Sequence, residues 1–361
     1  MGSAAQAEDD PIGALLARRR ALELEHGDGD TGTFLFGWQC ENPFAAGLLA
    51  RTRELTRQVN YVPYSYLEDE PSLTPAIVAL HRGFGEPPPD DVFSGSGAMS
   101  IIFTFASWLR NNGVEEVFFV PPIYFSFHFA LRLLGIRARA ITALHAFEPR
   151  FRMNLPDKKC VLIISDPIWY AAQPVPDPVI DLLIDWQART QSTIFVDGSF
   201  QYMSWDDQVA EPTSRLDSDL TIRLISPTKS LAVAGYRFAY CLLPRRWRSD
   251  FAHTYTNIYG SANAETLVFA PLAIQEMASR TLTESLVGLM RQRHAALRER
   301  GTIESRLEPR RGFFAFERIN AALPDGYLTM GGEYFSQPRF EGYARINLLS
   351  PSIGLLLNER S

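Results

Sequence analysis

Between residues 90 and 243 the chain alternates short apolar runs with helical stretches. The runs lie at 114–120, 160–165, 193–196, 220–225 and 238–243. Runs of this length with little polar alternation are strands covered on both faces. Strands and helices in this order dictate an α/β architecture, a mostly parallel sheet between helical layers. Such sheets bind ligands outside the carboxyl ends of their strands. The residues just past each run therefore carry the functional question.

Length and charge narrow the classes. A chain of 361 residues exceeds one small core and fits about two domains. A formal net charge of −6 gives no basic footprint, so no nucleic-acid partner is expected. The three cysteines, Cys40, Cys160 and Cys241, show no CxxC or Cys/His spacing, so no metal site is expected. No apolar run reaches the ~18 residues of a membrane span. The acidic start lacks a signal-peptide pattern, which makes the cytoplasm the expected location. Residues 11–25 carry helical spacing.

The most informative strand end is Ser226-Pro-Thr-Lys229-Ser-Leu-Ala-Val-Ala-Gly235-Tyr-Arg237. Lys229 is one of only three lysines, and the other two, Lys158 and Lys159, read as a solvated turn. An ammonium among small and apolar residues loses hydration, and its pKa falls. A lysine in that state is an amine nucleophile able to form a Schiff base with a carbonyl. Ser226 and Arg237 place a hydroxyl and a guanidinium nearby, a pair suited to a phosphate. A surface lysine in a loop is the alternative.

Three other strand ends fit a charged ligand. The turn Ser94-Gly-Ser-Gly97-Ala98-Met99-Ser100 precedes an apolar helix, a geometry that aims free N–H groups at an anion. The sequence does not complete G-x-G-x-x-G, which excludes a dinucleotide fingerprint. Asp197 ends a buried run and needs a cationic partner, unless it caps the next helix. Arg345 lies inside an apolar run, Tyr343-Ala-Arg-Ile-Asn-Leu-Leu349, where it needs either a salt bridge or an anionic ligand.

The ordered set of small-residue turn, Tyr124 after Pro121-Pro122, Asp197, Ser226, Lys229, Arg237 and Arg345 resembles the fold-type I pyridoxal-phosphate (PLP) enzymes. These form the aspartate aminotransferase superfamily, and the resemblance runs from about residue 33 to 350. It implies a seven-stranded sheet in a large cofactor-binding domain, 56–262, and a smaller α+β domain from both termini. The small domain would comprise 1–55 and, with a linking helix, 263–361. It implies PLP on Lys229, its phosphate on Gly97, Ala98, Met99, Ser226 and Arg237. Tyr124 would stack on the ring and Asp197 would hold the ring nitrogen. Arg345 would clamp a substrate α-carboxylate, and Gly37 and Trp38 would form a substrate-facing lip, if they are not a plain edge strand. Tyr61, with Tyr64 as second choice, would reach the phosphate of the other subunit in a homodimer with shared sites.

Two positions depart from that pattern. The family's donors to the cofactor's phenolic oxygen are an Asn and a Tyr; this chain has Trp169 and Phe200 there. Tyr170, Gln173, Tyr202 or water are the possible substitutes. The expected activity is transamination of an amino acid. Lyase, β- or γ-replacement or cyclase chemistry is the alternative, and a non-catalytic PLP-fold module is the second.

Overall fold

The structure, a computed structural model, describes residues 35, 37–207, 209–320, 323, 329–332 and 340–359. The expected helix at 11–25 lies outside them. The chain forms two compact units. A large unit comprises Asn42–Val287 with Arg310–Gly312, and a small unit comprises Met1–Glu41, Gly288–Pro309 and Phe313–Ser361.

The helices are α1 (Ala46–Thr56), α2 (Leu73–Gly83), α3 (Ala98–Asn111), α4 (Phe125–Leu133), α5 (Asp177–Thr190), α6 (Pro227–Ser230), α7 (Arg245–Tyr259), α8 (Ala264–Ser279), α9 (Thr281–Glu299) and α10 (Pro351–Leu356). The large unit holds β1 (Asp91–Gly95), β2 (Glu116–Phe119), β3 (Arg137–Ala140), β4 (Val161–Ser165), β5 (Thr193–Gly198), β6 (Thr221–Ile225) and β7 (Ala239–Leu243). They make one sheet in the order β1-β7-β6-β5-β4-β2-β3. Only β7 runs against its neighbours; the other pairings are parallel. The mostly parallel seven-stranded sheet expected from the sequence is what forms. The chain leaves β1 at one edge and re-enters the sheet at β2 near the other, which opens a crevice at the carboxyl ends.

Residues of one parity along the strands build the main core. Val117, Ile163, Phe195, Ile222, Leu224 and Cys241 pack with Ile101, Phe105 and Trp108 of α3, Phe127 of α4 and Phe251 of α7. Leu162, Ile164, Ile194 and Val196 alternate to the other face and are equally buried. This two-sided burial explains why the runs show no polar alternation.

The small unit has a second sheet, ordered β10-β11-β9-β8, from β8 (Ile303–Glu304), β9 (Phe314–Ile319), β10 (Met330–Gly331) and β11 (Tyr343–Asn347). The unit boundaries fall at 41/42 and 287/288, where the sequence suggested 55/56 and 262/263. The shift has a packing origin: α1 lies against α8, and both belong to the large unit. α7 runs through Tyr259 and ends at Gly260. Where the sequence suggested one linking helix in 263–361 there are two, α8 and α9, parted at Arg280 in a left-handed conformation (φ +61°).

One face of the sheet conceals a charged cluster that apolar patterning does not announce. Arg223, in β6, pairs with Glu86. Glu86 also meets His81 Nδ1 at 2.9 Å and accepts from Tyr202 Oη at 2.9 Å, and His81 Nε2 lies 3.0 Å from Tyr240 Oη. All five side chains are buried. Burial alone would raise Glu86, but Arg223 and the bond from His81 outweigh it and hold the carboxyl at about 2. A carboxyl depressed from 4.5 to about 2 stabilises the fold above pH 4.5, and that stability disappears as pH falls through 2. Glu86→Gln is therefore expected to cost about 3 kcal/mol at pH 7. In urea unfolding at a series of pH values, the gap between wild type and variant should close toward pH 2. A gap that does not narrow between pH 5 and 3 would show that Glu86 is not held ionised.

Candidate active site

The anion-binding turn is built by sterics. β1 ends at Gly95, and Gly97 precedes α3 with φ +86° and ψ 163°, a region closed to residues with a Cβ. A Cβ placed there would lie 2.9 Å from Arg237 Nη2. The guanidinium thus sits directly over Gly97, at the positive end of α3. Ser96 donates its N–H to Tyr255 Oη at 2.8 Å, and Ser100 Oγ donates to the Gly97 carbonyl at 2.8 Å. The N–H of Gly97 is taken by the Gly95 carbonyl at 2.9 Å. This corrects the expected donor set. Among the described residues the N–H groups of Ala98 and Met99 have no acceptor, and Gly97 contributes shape and clearance. Arg237 is exposed, with Nη1 3.2 Å from the Ala234 carbonyl. Ser226 is buried, its hydroxyl 3.3 Å from Thr228 Oγ1.

Lys229 stands on α6, the single helical turn that follows β6. Its side chain is half-buried. Asp197, on the adjacent β5, is 4% exposed. Its Oδ1 accepts from Ser199 N at 3.2 Å and from Ser199 Oγ at 2.6 Å. Burial pushes the Asp197 carboxyl up, and the two Ser199 bonds and the charge of Lys229 pull it back. The lysine and the carboxylate stand at the ends of neighbouring strands, and the charge of the one acts on the other. No helix follows Asp197 for it to cap.

Tyr124 follows the turn after β2 and precedes α4. The Trp169 ring meets it edge to face, with centroids 5.8 Å apart and planes at 81°. Trp169 Nε1 donates to the Pro122 carbonyl at 3.2 Å, which ties the β4 turn to the turn carrying Tyr124. Two of the suggested phenol-oxygen donors are committed elsewhere. Tyr170 Oη bonds His145 Nδ1, and Tyr202 Oη bonds Glu86. Asp166 is also structural: Oδ1 accepts from Val175 N at 2.9 Å and Oδ2 from Thr213 Oγ1 at 2.7 Å.

In the small unit the three substrate-side candidates assemble. Arg345, on β11, is fully buried, its guanidinium carbon 4.7 Å from the Trp38 ring and 4.3 Å from the Phe314 ring. Asn347 Nδ2 donates to the carbonyls of Gly37 and Gln39, both at 2.9 Å. The 37–41 segment is thus a strap fastened to β11 and not an edge strand. Tyr61 and Tyr64 lie in the large unit and are 57% and 83% exposed.

Ser199 and Tyr255 were not anticipated. An Asp-Gly-Ser sequence past a strand end is a known turn pattern, in which the carboxylate accepts from the residue two on; that signal could have found Ser199. Tyr255 sits 159 residues from its partner and had none.

A parallel sheet whose strand ends bring together a lysine, a buried carboxylate and a guanidinium-capped anion turn is the architecture of a PLP-dependent enzyme. The family model for aminotransferase class I and II matches residues 60–351, and the chain belongs to that family. It is a PLP-dependent transferase. No curated protein matches significantly in sequence. Solved structures give the fold. A single mutant of aspartate aminotransferase from Thermus thermophilus superposes with TM-score 0.76 at 17% identity, over 95% of this chain and 94% of that one. The probable N-succinyldiaminopimelate aminotransferase from the same organism gives 0.74 at 17% identity, over 96% and 97%. YbdL from Escherichia coli, a methionine aminotransferase, gives 0.73 at 17% identity, over 95% and 96%.

The residues present fit the cofactor. The Arg237 guanidinium lies against Gly97 beside N–H groups that have no acceptor among the described residues, and Oδ2 of Asp197 accepts no hydrogen bond from them. Gly97→Ala should force Arg237 away and weaken PLP binding about tenfold or more, read by equilibrium dialysis. Retention of wild-type affinity would show that the phosphate does not use this turn.

Proposed function

We propose that the enzyme transfers the amino group of an α-amino acid, with Lys229 as the catalytic residue. The observation that carries this reading is the placement of Lys229, in the turn after β6, and of the buried carboxylate of Asp197 at the end of the adjacent β5. When bound, PLP supplies an aldehyde that condenses with amines and a ring that accepts an electron pair. The chain's residues do the rest. The Lys229 amine takes the proton from the substrate α-carbon and returns it elsewhere as general acid. Asp197, kept anionic, holds a proton on the ring nitrogen. Ala98 and Met99 N–H, Arg237 and Ser226 bind the phosphate, and Tyr124 covers a ring face.

Arg345 receives the substrate α-carboxylate in a two-pronged grip. Trp38 and Phe314 cover its guanidinium and fix its plane. Gly37 and Trp38 form the lip beside it. The exposed run around Tyr61, with Val62 at 92% and Tyr64 at 83% exposure, suits a second copy of the chain. In the homodimer Tyr61 reaches the partner's phosphate. The cytoplasm remains the expected location. No helix among the described residues is long and apolar enough to cross a membrane.

The replaced phenol-oxygen donors support a second reading, a lyase or cyclase on an amino acid. Trp169 spends its N–H on Pro122, and Phe200 has none to give. The neighbours' named substrates differ from one another, so none is carried over.

Purified enzyme is expected to show visible cofactor absorbance that Lys229→Ala loses, along with a roughly 10²–10⁴-fold drop in turnover. Arg345→Lys should weaken amino-acid binding about ten- to a hundredfold. Mass analysis of the product decides the reaction. A keto acid establishes transamination; loss of ammonia, water or a leaving group establishes the second reading. Absorbance unchanged in Lys229→Ala would sink both.

A further inference from the structure

We propose that Ser199 is a positioning residue, holding one oxygen of Asp197 so that the other is presented to the ring nitrogen of PLP. The inference rests on the functional reading above and adds a residue to it. Both Ser199 donors, N at 3.2 Å and Oγ at 2.6 Å, meet the same oxygen, Oδ1. Oδ2 accepts nothing from the described residues. The carboxylate is therefore fixed in rotation with one lone-pair edge free.

The turn that places Ser199 is itself locked. A Cβ at Gly198 would lie 2.6 Å from the Gln201 carboxamide and 2.7 Å from the Leu224 carbonyl, so only glycine lets the chain fold back there. Gln201 N–H closes the turn on the Gly198 carbonyl at 2.9 Å. Gln201 Nε2 donates to Thr213 Oγ1 at 2.9 Å. Ser230 Oγ donates to the Gln201 carbonyl at 2.8 Å, and Ser230 follows Lys229 directly. The chain that orients Asp197 is thus laced to the helix that carries the reactive amine. Asp197, Ser199, Gln201 and Ser230 are all at least nine-tenths buried, so the lacing is shielded from water.

Lys229 is the charged group whose field reaches Asp197, and the two Ser199 bonds act in the same sense, against the upward push of burial. Without the Ser199 hydroxyl the carboxylate turns more freely and takes a proton more readily. A protonated Asp197 would no longer support positive charge on the ring nitrogen of a bound PLP, and the loss of that charge would raise the pH at which the holoenzyme's visible absorbance titrates.

The test is a pH titration of the visible absorbance of the holoenzyme without substrate, for wild type, Ser199→Ala and Ser199→Thr. The Ala variant should raise the midpoint by about one unit and weaken PLP retention in dialysis. The Thr variant, which keeps the hydroxyl, should restore both. An Ala variant that titrates like wild type overturns the inference while Lys229-dependent absorbance leaves the functional reading standing. Absence of any Lys229-dependent absorbance in wild type defeats that reading and takes this one with it. If Ser199→Ala folds poorly, Ser199→Cys reads the same midpoint, because a thiol fits but donates weakly.

Discussion

A carboxylate at the end of a strand buried on both faces stays charged only while donors and cations surround it. Asp197 is that group, and much of the large unit serves it. The strand places it at the carboxyl edge of the sheet, β6 delivers Lys229 beside it, and the turn at Gly198 brings Ser199 onto one oxygen. None of these groups alone offsets the desolvation of the carboxyl. The carboxylate is left short of one positive partner, and a protonated ring nitrogen is a group of the right charge and shape.

The proposed phosphate end follows a different rule, that of close approach. No side chain there needs to titrate. Gly97 must lack a Cβ so that Arg237 can lie over the first turn of α3, and the helix supplies free N–H groups beneath it. Asp197, at the end of β5, and Arg237, just before β7, are parted in the sheet by β6.

The sheet was legible, and residues at its strand ends could be placed there, because each depends on local sequence. Buried runs show as apolar stretches, and a glycine turn before a helix shows as Gly-Ser-Gly-Ala. What stayed hidden depends on pairing across long separations. Tyr170 and Tyr202 read as spare hydroxyls, yet His145 and Glu86 had already claimed them. The N–H of Gly97 read as free, yet its own turn consumes it. The unit boundary moved because α1 packs on a helix more than 200 residues away, which periodicity does not encode.

Arg223 and Arg345 show the same limit in its sharpest form. Both interrupt apolar strands, and both look alike in sequence. Arg223 is met by the carboxylate of Glu86, with His81, Tyr202 and Tyr240 closing the cluster, so its charge is spent on the fold. Arg345 also lies against the rings of Trp38 and Phe314, contacts that stabilise a cation through the π-system. A ring engages the face of a guanidinium, whereas a carboxylate engages its N–H edge and cancels its charge. The kind of neighbour, and not the presence of a buried arginine, tells the two environments apart. That neighbour comes from a distant segment: Glu86 precedes Arg223 by 137 residues, and Trp38 comes from the other end of the chain.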